Sequence, residues 1–245
     1  MHDLSLTTIA FFVIALLYST VGHAGASGYL ATMALLSFAP SEMKPAALGL
    51  NIVVALVTSL RFYQAGHFSW RMFWPFALAS VPLAYLGGGL SVHATIYKAL
   101  VGVALVFAAV HIIVRSKAGV AGEEVKTPGI VRSMAVGGVI GFLSGLTGVG
   151  GGIFLSPVLI MLRWAGLRQA AALSAVFILV NSLSGLVGHL QKGGSFPEHM
   201  GIWTVAVLGG GLIGSTLGAT KLNNPALRYA LGGILVMAGM KMVIV

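Results

Sequence analysis

The sequence predicts an all-α polytopic membrane protein built as two inverted repeats of about five helical segments each. Short broken or re-entrant helices are expected at the repeat interface. Three observations carry this. The 245 residues are 58% hydrophobic and only 8% charged, where a soluble domain carries about 25% charged residues. Apolar runs recur along the chain without period-two alternation, which selects helices over a barrel. A glycine-broken apolar stretch occurs twice, once as Gly145-Leu146-Thr147-Gly148-Val149-Gly150-Gly151-Gly152-Ile153-Phe154-Leu155-Ser156-Pro157 and once, blurred, as Thr20-Val21-Gly22-His23-Ala24-Gly25-Ala26-Ser27-Gly28-Tyr29-Leu30.

Taken in order, hydrophobic segments fall at 4–21, 28–39, 45–65, 71–90 and 95–115, then at 130–146, 150–163, 168–190, 200–219 and 225–245. The start, Met1-His2-Asp3-Leu4, lacks the basic region of a signal peptide, so the first helix is expected to be retained. The stretch from Arg115 to Arg132 holds Glu123-Glu124, Lys126 and Pro128-Gly129, with two of the five acidic residues. It reads as a linker, dividing a first repeat (1–115) from a second (130–245) at residues 116–129.

The two sets look like copies. Leu56-Val57-Thr58-Ser59-Leu60 matches Leu179-Val180-Asn181-Ser182-Leu183, and Leu86-Gly87-Gly88 falls opposite Ile213-Gly214-Ser215. Lys98-Ala99-Leu100-Val101-Gly102 matches Arg228-Tyr229-Ala230-Leu231-Gly232. The shared order of these matches weighs more than any one of them. Segment 28–39, about 12 residues or about 18 Å as helix, is too short for a hydrocarbon core of roughly 30 Å. Segment 150–163 is similarly short. Whether each forms a re-entrant hairpin with its predecessor or crosses as a short tilted helix, each half crosses an odd number of times, which inverts the halves.

Basic residues orient this scheme. The net charge is +9, from 14 Lys+Arg against 5 Asp+Glu. Ten fall on one side (Arg61, Arg71, Arg115, Lys117, Lys126, Arg132, Arg163, Arg168, Lys221, Arg228) and four on the other (Lys44, Lys98, Lys192, Lys241). The excess places the linker in the cytoplasm and both termini outside. These charges are scattered and lack nucleic-acid patterning, so the partners expected are the bilayer and a small anion. The absence of cysteine excludes disulfides, thiol catalysis and Cys-ligated metal.

A half-helix beginning after Gly28 or Gly150 would aim free N–H groups and a positive dipole end at its break. Paired breaks in corresponding places point to a transporter's substrate site, with helix N-termini facing an anion. The competing reading is close helix packing, which suits Gly87-Gly88-Gly89 and Gly209-Gly210-Gly211. The backbone of Ala26 to Tyr29 and of Gly150 to Ile153, with Gly25, Gly28, Gly148, Gly151 and Gly152 shaping it, is therefore the candidate anion site.

Polar residues inside apolar helices supply candidate side-chain contacts. Asn51, Thr58, Ser59 and Gln64 lie in one segment; Ser174, Asn181, Ser182 and Ser184 lie in its counterpart. Asn51, Thr58 and Arg61 share a helical face, and Thr58 and Asn181 fall at matching positions of the sequence repeat. Interhelical hydrogen bonding would explain them equally well. No Asp or Glu lies within an expected span, which argues against a carboxylate proton relay or a hard-cation site, and no metal or cofactor is expected. His23 is the ionisable residue at depth, either a proton-coupling group or a neutral hydrogen-bonded histidine. Arg61, about a turn inside its helix end, reads as an interface anchor or a substrate clamp.

Gly148 to Gly152, followed by Ser156-Pro157, then Arg168-Gln169-Ala170-Ala171-Ala172 and a polar-flecked apolar helix, resembles the sulfite exporter TauE/SafE family. The resemblance covers essentially the whole chain. It implies a carrier of the bacterial inner membrane, multi-pass, moving sulfite, a sulfonate or another small organic anion by alternating access. The first half departs from the pattern, with His23, Ala24, Ala26 and Ser27 in place of part of the glycine cluster. On this reading the substrate-binding set is His23, Gly25, Ala26, Ser27, Gly28, Asn51, Thr58, Arg61, Gly148, Gly150, Gly151, Gly152, Asn181 and Ser182. An anion channel is the alternative within transport. A different class is suggested by Gly25-Ala26-Ser27-Gly28, which resembles the serine motif of rhomboid intramembrane proteases; the internal repeat does not suit a protease. Oligomeric state, a homodimer included, is left open.

Overall fold

A computed structural model describes residues 4–20, 22–115, 128–220, 236 and 240. The described residues form helices α1 (Leu4–Ser19), α2 (Ala26–Leu35), α3 (Pro40–Gln64), α4 (Trp70–Gly89), α5 (Ala94–Arg115), α6 (Ile130–Thr147), α7 (Gly152–Met161), α8 (Leu167–Gln191) and α9 (Met200–Thr220). The protein is all-helical in these residues and passes the membrane several times. α3, α6, α8 and α9 each contain a stretch long and apolar enough to cross a bilayer. All but residues 236 and 240 of the expected segment 225–245, the matching run Arg228 to Gly232 and most of the linker lie outside the described residues.

Local chemistry explains the helix limits. α3 begins a turn earlier than the apolar pattern suggests because Pro40 sits in its first turn, where a missing N–H costs nothing. Pro45 follows in the second turn of the same helix. α2 and α7 have 10 residues each, about 15 Å, half of a hydrocarbon core. Both stop in the same way. Leu36 and Leu162 are the C-caps, each with φ −83 and ψ 2. The next residues, Ser37 and Arg163, take left-handed φ of 63 and 57.

The halves correspond in length and in packing. α1 and α6 are followed by the short α2 and α7, then by α3 and α8 with 25 residues each. α4 packs against α6 and α8, and α9 packs against α1 and α3 in the equivalent way. This exchanges partners between the halves: α4 belongs to the wall of the second half and α9 to the wall of the first. The buried clusters follow the exchange. One joins α1, α2, α3 and α5 with Trp203 and Val207 of α9. The other joins Phe73 and Phe76 of α4 with residues of α6, α7 and α8.

Glycine makes the exchanged contact possible. Gly137, Gly141 and Gly145 recur every four residues along one face of α6, and backbone of Phe76, Ser80 and Ala84 occupies the space a Cβ would need. Such backbone-to-backbone approach lets dispersion forces hold helices together where lipid offers no hydrophobic drive. In α9, Gly210 and Gly214 lie against the carbonyls of Phe12 and Leu16 of α1.

A Cβ at Gly141 would fall 2.6 Å from Ser80 Cα and 2.7 Å from its Cβ. Gly141→Val is expected to cost about 1–3 kcal/mol and to lower the unfolding temperature of the detergent-solubilised protein. Gly129→Ala, where a Cβ meets nothing within 4 Å, should leave it unchanged. Equal stability of the two variants would show that α4 and α6 can separate freely.

Candidate anion site at the paired helix breaks

Both breaks are built by left-handed glycines. Gly22 and Gly25 have φ of 82 and 101, and Gly148, Gly150 and Gly151 have φ of 84, 81 and 79. Gly25 and Gly151 are the N-caps of α2 and α7, and Gly22 and Gly148 stand at equivalent distances before them. Side chains at φ near +80 are strained, and space is also lacking. A Cβ at Gly151 would meet Phe177 Cε1 at 2.8 Å. A Cβ at Gly150 would collide with the Asn51 amide. Gly28 has a different job: Ile14 of α1 fills its Cβ position, so it permits α1 and α2 to touch.

Donors and acceptors at the breaks are unequally satisfied. Tyr29 Oη donates to Ala24 O at 2.8 Å. Tyr97 Oη donates to Thr147 O at 3.1 Å, and Asn51 Nδ2 donates to Val149 O at 3.3 Å. Three carbonyls of broken backbone are thereby covered by side chains. The amides fare otherwise. In α2 the Tyr29 amide already bonds Gly25 O at 3.0 Å, leaving Ala26, Ser27 and Gly28 without intrahelical acceptors. In α7 the amides of Phe154 and Leu155 both reach Gly151 O, at 3.1 and 3.0 Å, leaving those of Gly152 and Ile153. The expected donor set therefore loses Tyr29 at one edge.

The breaks meet. His23 Nε2 lies 3.2 Å from Ser156 Oγ of α7, and Ser156 Oγ lies 2.7 Å from Ser174 Oγ of α8. His23 is 7% exposed, and both serines are wholly buried. In the other direction, Val149 and Ile153 from the second break join the cluster formed mainly by the first half. Asn51 adds a third link, with Nδ2 3.4 Å from Ser182 Oγ.

The remaining candidates divide. Asn51, Thr58, Asn181 and Ser182 are wholly buried. Thr58 Oγ1 is turned back to Val54 O of its own helix at 2.8 Å. Asn181 Nδ2 donates to Phe177 O at 2.8 Å, while its Oδ1 has no partner. Ser27 Oγ donates to Tyr18 Oη at 3.0 Å, so its hydroxyl is engaged with a tyrosine. Arg61 lies exposed in the last turn of α3. Gly25, Ala26, Gly148 and Gly152 are buried in the break walls. Helix ends also shift the repeat register. Counted from Pro40 and Leu167, Thr58 stands opposite Gly185, and Asn181 opposite Val54, one turn from the sequence match.

Sequence reasoning missed several members. Lys44 was expected among loop charges, yet it is 6% exposed. Its ammonium donates to Gly87 O, Gly88 O and Leu90 O at 3.2, 2.6 and 3.2 Å. It caps the C-terminus of α4, where the dipole favours a cation. Its own carbonyl lies 3.2 Å from the Cβ position of Gly148, so the cap also braces the second break. A lysine at a helix start beside two prolines was the available signal. Ser156 and the tyrosines carried no signal beyond being polar in an apolar run.

The model of the sulfite exporter TauE/SafE family matches residues 7–242. Over 237 residues the chain is 40% identical to a probable membrane transporter protein, y4hK, of Sinorhizobium fredii (strain NBRC 101917 / NGR234), covering 96% of each chain. A probable membrane transporter protein of Methanocaldococcus jannaschii is 28% identical over 201 residues, 76% of this chain and 72% of the relative. No solved structure matches.

Lys44→Met keeps the stem and removes the three donors. Loss of charged hydrogen bonds to buried carbonyls is expected to cost about 2 kcal/mol. It should appear as a lower unfolding temperature in detergent, and an unchanged temperature would mean that the α4 carbonyls find other donors.

Proposed function

The chain belongs to the sulfite exporter TauE/SafE family and is a multi-pass membrane transporter; on that premise we propose that it carries a small oxyanion, sulfite or an organosulfonate, by alternating access. The observation that supports this reading is the imbalance at the breaks. Tyr29, Tyr97 and Asn51 occupy the carbonyls, while first-turn amides of α2 and α7 lack intrahelical acceptors. Broken backbone in a membrane must be satisfied by protein or by what the protein binds. Donors without an intrahelical acceptor at two positive helix ends ask for negative charge. His23 and Ser156 join the two ends, so an anion there would be held by both halves.

In this reading the repeats are inverted and the linker is cytoplasmic, with the protein in a bacterial inner membrane. Each break enters from its own side. The substrate sits where they meet, and rocking of one helix group against the other changes which side it faces. His23 is placed to shuttle a proton with the anion, its imidazole held by Ser156.

Proteoliposomes loaded with the purified protein should take up sulfite at a rate that saturates with concentration. Asn51→Leu should slow it about tenfold or more, a loss of about 1.4 kcal/mol, while lipid-facing Val139→Ala should match wild type. Transport of neither sulfite nor any small sulfonate would sink the reading, and uptake linear in concentration would make the protein a channel. Because the chain has no cysteine, Ser116→Cys supplies a unique thiol. It should react with a membrane-impermeant maleimide in inside-out vesicles and stay unlabelled in intact cells; the reverse pattern would invert the orientation.

A further inference from the structure

The second break contains an acceptor as well as donors. Asn51 is wholly buried and packs against Gly150, at the mouth of α7. Its amide orientation is fixed by its partners, because Nδ2 faces the carbonyl of Val149 and the hydroxyl of Ser182. A flipped amide would set two carbonyl oxygens against each other. Oδ1 is therefore the remaining atom, and it has no partner. Asn181 repeats the arrangement on α8. Its Nδ2 is held by Phe177 O, its Oδ1 is unpartnered and buried, and the Phe177 ring one turn away lies against Gly151.

A simple anion does not answer these oxygens. A carbonyl oxygen repels an acceptor, and a buried one left unpaired is costly. A ligand that carries its own donor satisfies amides and asparagine oxygens together. We propose that the ligand bound at the second break is a monoanionic oxyanion bearing an O–H or N–H group, and that Asn51 Oδ1 receives that hydrogen. The inference rests on the oxyanion reading above and narrows it. Hydrogensulfite and hydroxyl-substituted sulfonates fit. Sulfite dianion, sulfate and unsubstituted sulfonates lack the donor. A site that hydrogen-bonds a substrate hydroxyl discriminates strongly against the analogue without it, since its own polar atom is then stranded.

Two sulfonates test this without changing the charge. Ethanesulfonate and 2-hydroxyethanesulfonate are both monoanions at working pH and differ by one hydroxyl. Calorimetric titration of the solubilised wild-type protein should show the hydroxylated ligand binding about tenfold tighter or better. In Asn51→Leu the two affinities should converge. Sulfite itself supplies a second comparison, titrated below and above its second ionisation, with the protonated form expected to bind about tenfold tighter. His23 at the first break, Glu42, Lys44, Arg61 and Tyr63 on α3, and Arg168 and His189 on α8 are the titratable or charged groups on that break and on the two long helices. Ethanesulfonate measured at the same pH values corrects for any of them. Equal affinity for the two sulfonates, or for the two forms of sulfite, would overturn the inference and leave an oxyanion site standing, with water on the asparagine oxygens. Binding of no oxyanion at all would remove the broader reading too. The wild-type comparisons decide the matter even if Asn51→Leu does not fold.

Discussion

Backbone that leaves a helix inside hydrocarbon must find partners within the protein, and the architecture answers to that constraint. Both interruptions are buried, and side chains of Tyr29, Asn51 and Tyr97 complete hydrogen bonds to their carbonyls. α3 and α8 cross between the breaks and bring amide, hydroxyl and apolar side chains to them. α5 contributes Tyr97, which reaches across to the carbonyl of Thr147. The glycine-lined face of α6 draws α4 in so closely that backbone meets backbone. Stability and the shape of the breaks thus come from one set of contacts, since a seal loose enough to admit lipid would also strand the broken backbone.

The two breaks share a frame and differ in chemistry. Left-handed glycines, short helices and identical C-cap geometries recur in both. Side chains do not. The first break places His23 where the second has Val149, and Ala24 where the second has Gly150. On the long helices, Asn51 corresponds by position to apolar Ile178. Polar groups therefore gather from unequal places, His23 from one break and Asn51 from the helix beside the other. A frame that is symmetric with lopsided contents can hold a ligand whose own ends differ.

Much of the fold was legible because each helix is announced by a continuous apolar run and ended by glycine, proline or charge. All nine described helices fall within a few residues of expectation, the largest difference being α3, where Pro40 and not the apolar run sets the start. The breaks were legible because glycine clusters inside such runs are hard to explain otherwise. What sequence did not disclose is contact between distant segments. Lys44 reads as a loop charge until the end of α4 is brought to it. The pairing of Thr58 with Asn181 follows residue identity, whereas helix ends set position, and the two disagree by a turn. Arg61 shares a helical face with Asn51 on paper, yet the helix runs past the packed region before reaching it.

The exchange of α4 and α9 bears on how the molecule comes to exist. A half inserted alone would lack one wall and would offer lipid a glycine-lined groove in place of a packed helix. Its broken segment would be open on the side that its sister now closes. Completion must therefore wait until the later half has entered the bilayer, whatever the order of insertion. The same geometry suggests how such a chain could begin as two separate copies. Each copy would lend the other the helix it needs, and fusion would then only tie together a pair already interlocked.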